Sequence, residues 1–384
     1  MCDPKSIYIH IPFCIRKCAY CDFYSETCLF LIPDYIKALE TEMDLRSATD
    51  ALLDSSVDTV YFGGGTPSLL DVKQMDHILQ TIRNRFRVSP DAEITVEINP
   101  GTVDADYFAG LKGTGVNRLS IGVQSFNDEK LKFLHRIHSA DEAVKTIGHA
   151  GKAGFENISL DLIYGVPGET QAAWIRDLKK AVETLPFHIS AYMLTLEPGT
   201  PLADQVKKGD FISLGSEMVS SLFKMTSHYL NRAGFEHYEI SNFSRGRINR
   251  SRHNSAYWGL TPYFGFGAAA HSYDGAVRSS NYRSIERYIS DLSSGVLPVE
   301  DHETLSLEQK MTEFIMLRLR ALEGIDMNEF QDRFQLPFES RFEKILSRIL
   351  GENLGGFETG RFALNLEGRT FLNSIIEAFA ADIL

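Results

Sequence analysis

At 384 residues and a formal net charge of −12, the chain is too long for one ordinary compact core. It is also too acidic for a general role on nucleic acid, whose phosphates need a basic surface. With 43% hydrophobic and 23% charged residues it reads as a soluble globular protein, and no run approaches the ~18 apolar residues of a membrane span. The N-terminal MCDPKSIYIH is too poor in basic residues and too short in its apolar run for a secretory leader, so a cytoplasmic location is expected.

Ser6 to Pro12 alternates and is rich in Ile and Tyr, which predicts a buried first strand. It runs into Cys14, Cys18 and Cys21, spaced C-x3-C-x2-C. Three thiolates so close in sequence can converge on one inorganic centre. Three is one fewer than a closed cluster or a structural zinc site needs, so an iron-sulfur cluster held this way keeps one iron open to a ligand. All five cysteines, Cys2 and Cys28 included, fall in the first 28 residues, where a disulfide scaffold would spread them along the chain. Cys2 and Cys28 lie outside the spacing and read as free thiols.

A helix is predicted from Pro33 to about Ala48, with Ile36, Leu39, Met43 and Leu45 on its apolar face. Strands follow at Thr59 to Phe62, Ala92 to Ile98, Val116 to Val123, Asn157 to Ile163 and Ile189 to Leu194, with helical stretches between them. Regular alternation implies right-handed crossovers and a parallel sheet, whose ligands gather at the strands' C-terminal ends. GGGTPS after Phe62, EINP around Glu97, GVQSF after Ile121 and DLIYGVPGET around Asp161 all fall there. The first strand ends in cysteines rather than in a glycine-rich dinucleotide fingerprint, so a partial six-stranded TIM-like barrel is expected.

The turn-rich EPGTPLADQVKKGD, from Glu197, marks the barrel's exit, followed by a helix at Gly215 to Ala233 and a strand at His237 to Ile240. From Arg252 to Tyr273 aromatics, glycines and two histidines show no clear period. Helices at Leu307 to Leu322, Met327 to Phe334 and Phe338 to Leu350, then two strands and a last helix, resemble a winged helix. From Asp301 onward nine Lys or Arg stand against fifteen Asp or Glu, a balance that repels DNA and favours packing or a partner protein. The expected division is 1–235 barrel with the cysteine loop, 236–296 connecting segment and 297–384 C-terminal α+β, winged-helix-like domain.

The cysteine spacing after YIHIPF, together with GGGTP, EINP and GVQSF, closely resembles the radical S-adenosylmethionine (SAM) superfamily, and within it the anaerobic coproporphyrinogen III oxidase-like family. The resemblance implies a [4Fe-4S] cluster on Cys14, Cys18 and Cys21. Its open iron takes the amino and carboxylate groups of SAM, and an electron from a donor breaks the bond from sulfur to the 5′ carbon. The 5′-deoxyadenosyl radical so made must be sealed from water and aimed at one atom. By the same resemblance Tyr8 and Tyr20 flank the cluster, with Tyr20 against adenine, while Gly64, Gly65 and Thr66 meet the methionyl end. Glu97 matches a SAM contact, and Gln124, Arg136 and Asp161 match contacts of a second SAM.

Two departures separate the chain from the oxidases. Phe23 stands where they carry a further cysteine, and the cluster motif begins almost at residue 1, without their N-terminal extension. Both point to the sister group of HemW-type haem chaperones. His253, Asn254, Tyr257 and Trp258 reproduce that group's HNxxYW motif, which the resemblance associates with haem. Imidazole can ligate haem iron, and Tyr and Trp offer flat apolar faces. His271 is a weaker second candidate, and His10 reads as support for the cluster region. Two expectations of different kinds stand together: a chaperone that binds haem and delivers it to haem proteins, and an enzyme that decarboxylates coproporphyrinogen III. Another tetrapyrrole-acting radical SAM enzyme is a third.

Overall fold

A computed structural model describes residues 5–49 and 56–383, so Cys2 lies outside the described residues. The chain divides into two compact units, one formed by Met1–Leu214 and Thr261–Glu303, the other by Gly215–Leu260 and Thr304–Leu384. The boundaries cut the expected connecting segment, with 236–260 in the second unit and 261–296 in the first.

The first unit is a repeating strand-helix ladder. In order it runs β1 (Lys5–Ile11), α1 (Ile32–Thr49), β2 (Val57–Gly64), α2 (Val72–Arg85), β3 (Val88–Ile98), α3 (Ala105–Gly113) and β4 (Arg118–Gln124). It continues through α4 (Asp128–Phe133), α5 (Ala140–Lys152), β5 (Asn157–Tyr164), α6 (Gln171–Glu183), β6 (His188–Met193) and α7 (Pro201–Lys208). Strands β1 to β6 pair in parallel, each with the next in the chain. This is the partial TIM-like barrel of six strands that the alternation predicts.

Apolar residues of the strands build the core: Ile7, Ile9, Phe62, Val96, Leu119, Ile121, Leu160 and Ile189 are all fully buried. Their neighbours in sequence point the other way, because side chains alternate across a strand. Register then aligns a second, polar set: Tyr8 opposite Tyr61, Glu97 opposite Ser120, and Asp161 opposite Ser190.

Several elements depart from the sequence expectations. The aperiodic 252–273 stretch forms α9 (Arg252–Trp258), β9 (Tyr263–Phe266) and β10 (His271–Tyr273), and β9 adds a seventh parallel strand along β1. Its alternation is short and interrupted by Gly265, where a Cβ would sit 1.9 Å from the His271 carbonyl oxygen. Beyond it lie β11 (Val277–Asn281) and β12 (Val299–Thr304), with α10 (Ile285–Ser293) between them. Buried Glu42 of α1 secures this block, accepting hydrogen bonds from Asn281, Tyr288 and the Gly267 N–H. The turn-rich exit carries the helix α7, capped by Thr200, begun by Pro201 and closed by Gly209 at φ 80°.

In the second unit α8 (Ser216–Arg232) leads to the hairpin β7 (Glu236–His237) and β8 (Asn242–Ser244), where one continuous strand to Ile240 was expected. After α9 come α11 (Leu307–Arg320), β13 (Ile325–Asp326), α12 (Met327–Phe334), α13 (Phe338–Arg341) and α14 (Glu343–Gly351). The hairpin β14 (Gly355–Glu358) and β15 (Arg361–Leu364), then α15 (Leu366–Thr370) and α16 (Leu372–Ile383), complete it. Helices followed by a β-hairpin give the winged-helix-like outline. Its core is a knot of phenylalanines, with Phe314, Phe330, Phe338, Phe342, Phe362 and Phe379 packed ring to ring.

Candidate functional site: a cavity behind the cysteine loop

A cavity of about 540 Å³ opens at the C-terminal ends of β1 to β6. Cys14, Cys18, Cys21, Tyr20, Gly64, Gly65, Thr66, Glu97, Gln124, Arg136 and Asp161 all line it. The crossovers therefore bring residues separated by more than a hundred positions to one concave surface. Tyr8 does not line the cavity. It lies deeper in the barrel, stacked on Tyr61 at 6.2 Å and hydrogen-bonded to His10.

The glycines after β2 are required by close approach. Gly64 has φ +110°, and a Cβ there would meet the His10 ring at 2.6 Å. A Cβ on Gly65 would meet the Phe13 carbonyl oxygen at 2.7 Å. The β2 loop can thus lie directly against the start of the cysteine loop, and Thr66 Oγ1 donates to Cys14 Sγ at 3.5 Å. Opposite it, Arg136 Nη1 donates to Cys18 Sγ at 3.5 Å, while Nη2 donates to Asn99 and to the Gly122 carbonyl. Arg16 reaches from the cysteine loop to the His135 and Arg136 carbonyls. His10 supports the same region from below, its Nε2 bonded to the Tyr24 carbonyl, and burial lowers its pKa to about 4, so it is neutral.

The carboxylates are less well satisfied. Burial pushes the Glu97 carboxyl up to about 7, opposed by the Tyr61 hydroxyl at 2.8 Å and reinforced by the charge of Asp161. Burial raises Asp161 too; Oδ2 accepts from Ser120 at 2.9 Å and Oδ1 lacks a well-formed hydrogen bond. Two acidic groups enclosed together with unmet capacity suit a cationic ligand, whose charge would favour both ionised forms. Gln124 is held at φ 62°, an uncommon conformation for a residue other than glycine, where the β4–β5 register shifts.

A second layer fixes the loops. Lys130 is buried, bridges Glu169 and Asp177, and lies 4.9 Å from the ring centroid of buried Trp174. Asp177 accepts from Ser125 and from the Phe126 N–H, and Glu169 from the Gly165 N–H. The GVQSF and GVPGET loops are thereby tied to one ammonium. Tyr61, Asn99 and this lysine network were missed in the sequence. Tyr61 alternates with Phe62 and so had a readable facing, and Asn99 lies inside the EINP segment; Lys130 sits on a charged helix with no local signal.

The HNxxYW residues lie on α9 in the second unit. His253 and Tyr257 are one helical turn apart, with Nε2 and the hydroxyl 3.1 Å from each other, and His253 is only 1% exposed. Asn254 is held at the helix start, its N–H donating to Ser251. The Arg320 guanidinium lies 4.7 Å from the Trp258 ring centroid. His271 is exposed on β10 in the first unit.

The radical SAM superfamily model matches residues 8–181, and the HemN C-terminal domain model matches residues 305–371. The chain is 34% identical over 379 residues to the heme chaperone HemW of Mycobacterium tuberculosis, covering 97% of this chain and 94% of that protein. It is 34% identical to HemW of Escherichia coli, covering 99% of each chain. This chain belongs to the HemW family. HemW of Bacillus subtilis, at 32% identity, is covered over its whole length. The fold matches that of coproporphyrinogen III oxidase (HemN) from Escherichia coli with a TM-score of 0.83 over 98% of this chain and 90% of that one, at 24% identity.

Membership of the radical SAM family implies a [4Fe-4S] cluster and SAM, and the cavity fits them. Cys14, Cys18 and Cys21 would hold the cluster, with Thr66 and Arg136 already donating to two of the sulfurs. Among the described residues no three His, Cys, Asp or Glu side chains are placed to share a single ion. Ligands that each take a different iron need no such convergence. When bound, the pair supplies reductive cleavage of a carbon-sulfur bond. The chain's own residues would line the ligand and present the carboxyl groups of Glu97 and Asp161 to its positive groups.

Proposed function

We propose that this protein is a haem chaperone, binding haem and delivering it to haem proteins, with the cluster and SAM cavity controlling the transfer. The reading is carried by relatives from Mycobacterium tuberculosis, Bacillus subtilis and Escherichia coli, matched over nearly their whole length, that bear the name heme chaperone HemW. Phe23 supports it: at the cavity mouth, 65% exposed, it offers an apolar ring where an oxidase would offer a thiol. His253, Asn254, Tyr257 and Trp258 are the proposed haem residues. Since His253 Nε2 is bonded to the Tyr257 hydroxyl, iron ligation through Nε2 requires that bond to open. Haem-accepting proteins and an electron donor are the expected partners, and a cytoplasmic site of action is part of the proposal. Among the described residues no helix is long and apolar enough to cross a membrane.

The oxidase reading is favoured by the shared fold and by the intact SAM cavity. One pair of assays separates the two. Anaerobically reconstituted protein is given coproporphyrinogen III, SAM and reductant, and separately titrated with haem while the Soret band is followed. A saturable Soret shift without protoporphyrinogen is the expected result. Protoporphyrinogen formation would sink the chaperone reading.

A further inference from the structure

Gln124 ends β4 at φ 62°, and the Ser125 N–H donates across it to the Val123 carbonyl at 2.7 Å. A three-residue turn closed around a central residue of positive φ is rare and strained, and glycine would take it without the steric cost. The chain nevertheless keeps a side chain there. Gln124 lines the cavity, and its Nε2 lies so close over Gly122 that a Cβ on that glycine would meet it at 3.0 Å. Among the described residues its amide makes no hydrogen bond, so its donors and its acceptor are open to a ligand.

The turn is held from both sides. After it, Asp177 accepts from the Ser125 hydroxyl at 2.6 Å and from the Phe126 N–H at 2.8 Å. Before it, the loop that leads into α5 takes two successive carbonyls of β4. Arg136 donates to that of Gly122 at 3.0 Å, and His138 Nε2 to that of Val123 at 3.1 Å. Arg136 also serves Cys18 and Asn99, whereas the His138 side chain, 4% exposed, makes this one hydrogen bond and leaves Nδ1 bare. Burial, together with the Arg136 charge, lowers the His138 pKa to about 4, so the ring is neutral and its one proton is the one that Nε2 donates.

We propose that His138 is a positioning residue of the SAM cavity: by holding the Val123 carbonyl it keeps Gln124 in its left-handed turn, with the amide presented to the ligand. Without that bond the peptide between Val123 and Gln124 can rotate, and Gln124 relaxes to negative φ with its side chain re-aimed. The inference rests on the SAM reading of the cavity and adds how its strained residue is set.

The test is a double-mutant cycle on the anaerobically reconstituted full chain, with SAM affinity read by calorimetry. His138→Leu should weaken SAM about three- to tenfold, the range of one neutral hydrogen bond. His138→Gln, whose amide can donate from nearly the same place, should bind as the wild type does. Gln124→Ala should also weaken SAM, and adding His138→Leu to it should cost less than about twofold more. Gln124→Gly should bind SAM less well yet melt at a higher temperature without it, since the strain is gone. Equal losses from His138→Leu in both backgrounds, no loss in either, or unchanged affinity in Gln124→Ala overturns the proposal. If His138→Leu does not fold, His138→Asn, whose shorter amide cannot reach the carbonyl, takes its place in the cycle. Failure of both to fold overturns the proposal too, because the bond would then serve the fold rather than the ligand. A wild type that binds no SAM overturns the SAM reading itself.

Discussion

Asp161 and His253 are both polar groups largely withdrawn from solvent, and the protein treats them in opposite ways. Asp161 keeps one oxygen without a formed hydrogen bond and shares its enclosure with Glu97, whose carboxyl titrates near 7. His253 is paired with Tyr257 on its own helix. The cavity in the first unit is therefore preorganised, holding electrostatic capacity in reserve for a ligand. On the HNxxYW helix, by contrast, a ligand of His253 Nε2 must compete with an existing bond.

The largest effect expected is on the cluster. Replacing Cys14, Cys18 or Cys21 by serine should abolish iron-sulfur absorbance and bound iron after anaerobic reconstitution. Cys28→Ser, measured alongside, should leave both unchanged, since Cys28 is absent from the cavity lining. Loss of the cluster in the Cys28 variant would break the contrast between motif and bystander thiols.

Next comes the buried lysine. Lys130→Met leaves Glu169 and Asp177 buried without their cation, which should cost about 3–5 kcal/mol in urea unfolding. SAM affinity, measured by calorimetry, should fall as well, because the GVQSF and GVPGET loops lose their common tie.

Glu97 sharpens the comparison through pH. Its carboxyl titrates near 7 when folded, against an ordinary 4.5. Between those values the folded state holds a proton that the unfolded chain has released, so stability falls as pH rises through this window. The loss, on the order of 3 kcal/mol, is complete above about pH 7. Glu97→Gln should therefore stabilise the ligand-free protein at about pH 8 and change little at about pH 4. SAM should show the reverse, binding the wild type less well as pH drops below about 7 and binding the variant weakly throughout.

Much of the first unit was legible because its signals are local. Strands buried on both faces read as apolar runs, and the ligand-facing residues lie immediately after them. Glu97, Gln124, Arg136 and Asp161 were placed through motifs, and the fold brings them to one cavity with Cys14, Cys18 and Cys21. Strand β9 was not legible, since Gly265 breaks a four-residue alternation for the sake of a contact with β10. Tyr8 was grouped with the SAM residues by its position next to the cysteines. Register puts it beside Tyr61, one layer deeper. Lys130 shows the general limit, for its importance depends on partners distant in sequence.

The smallest effect is expected at Phe23, and it bears on the choice between chaperone and oxidase. At 65% exposure the ring has little packing to lose, so Phe23→Ala should change unfolding free energy by no more than about 0.5 kcal/mol. Cluster content should also be unchanged, because the ring is not a ligand. An apolar ring lining this cavity still covers hydrophobic surface on a flat ligand that docks there, and removing it should weaken coproporphyrinogen III binding by a few-fold, roughly the value of a partly buried aromatic side chain. Phe23→Cys is the sharper variant, since it restores the thiol of the oxidases without disturbing the fold. If it gains protoporphyrinogen-forming activity, one side chain separates two functions on a shared barrel. If it does not, the difference lies in the walls of the cavity, and Tyr192 and Met193, half-exposed at the end of β6, are the next residues to exchange.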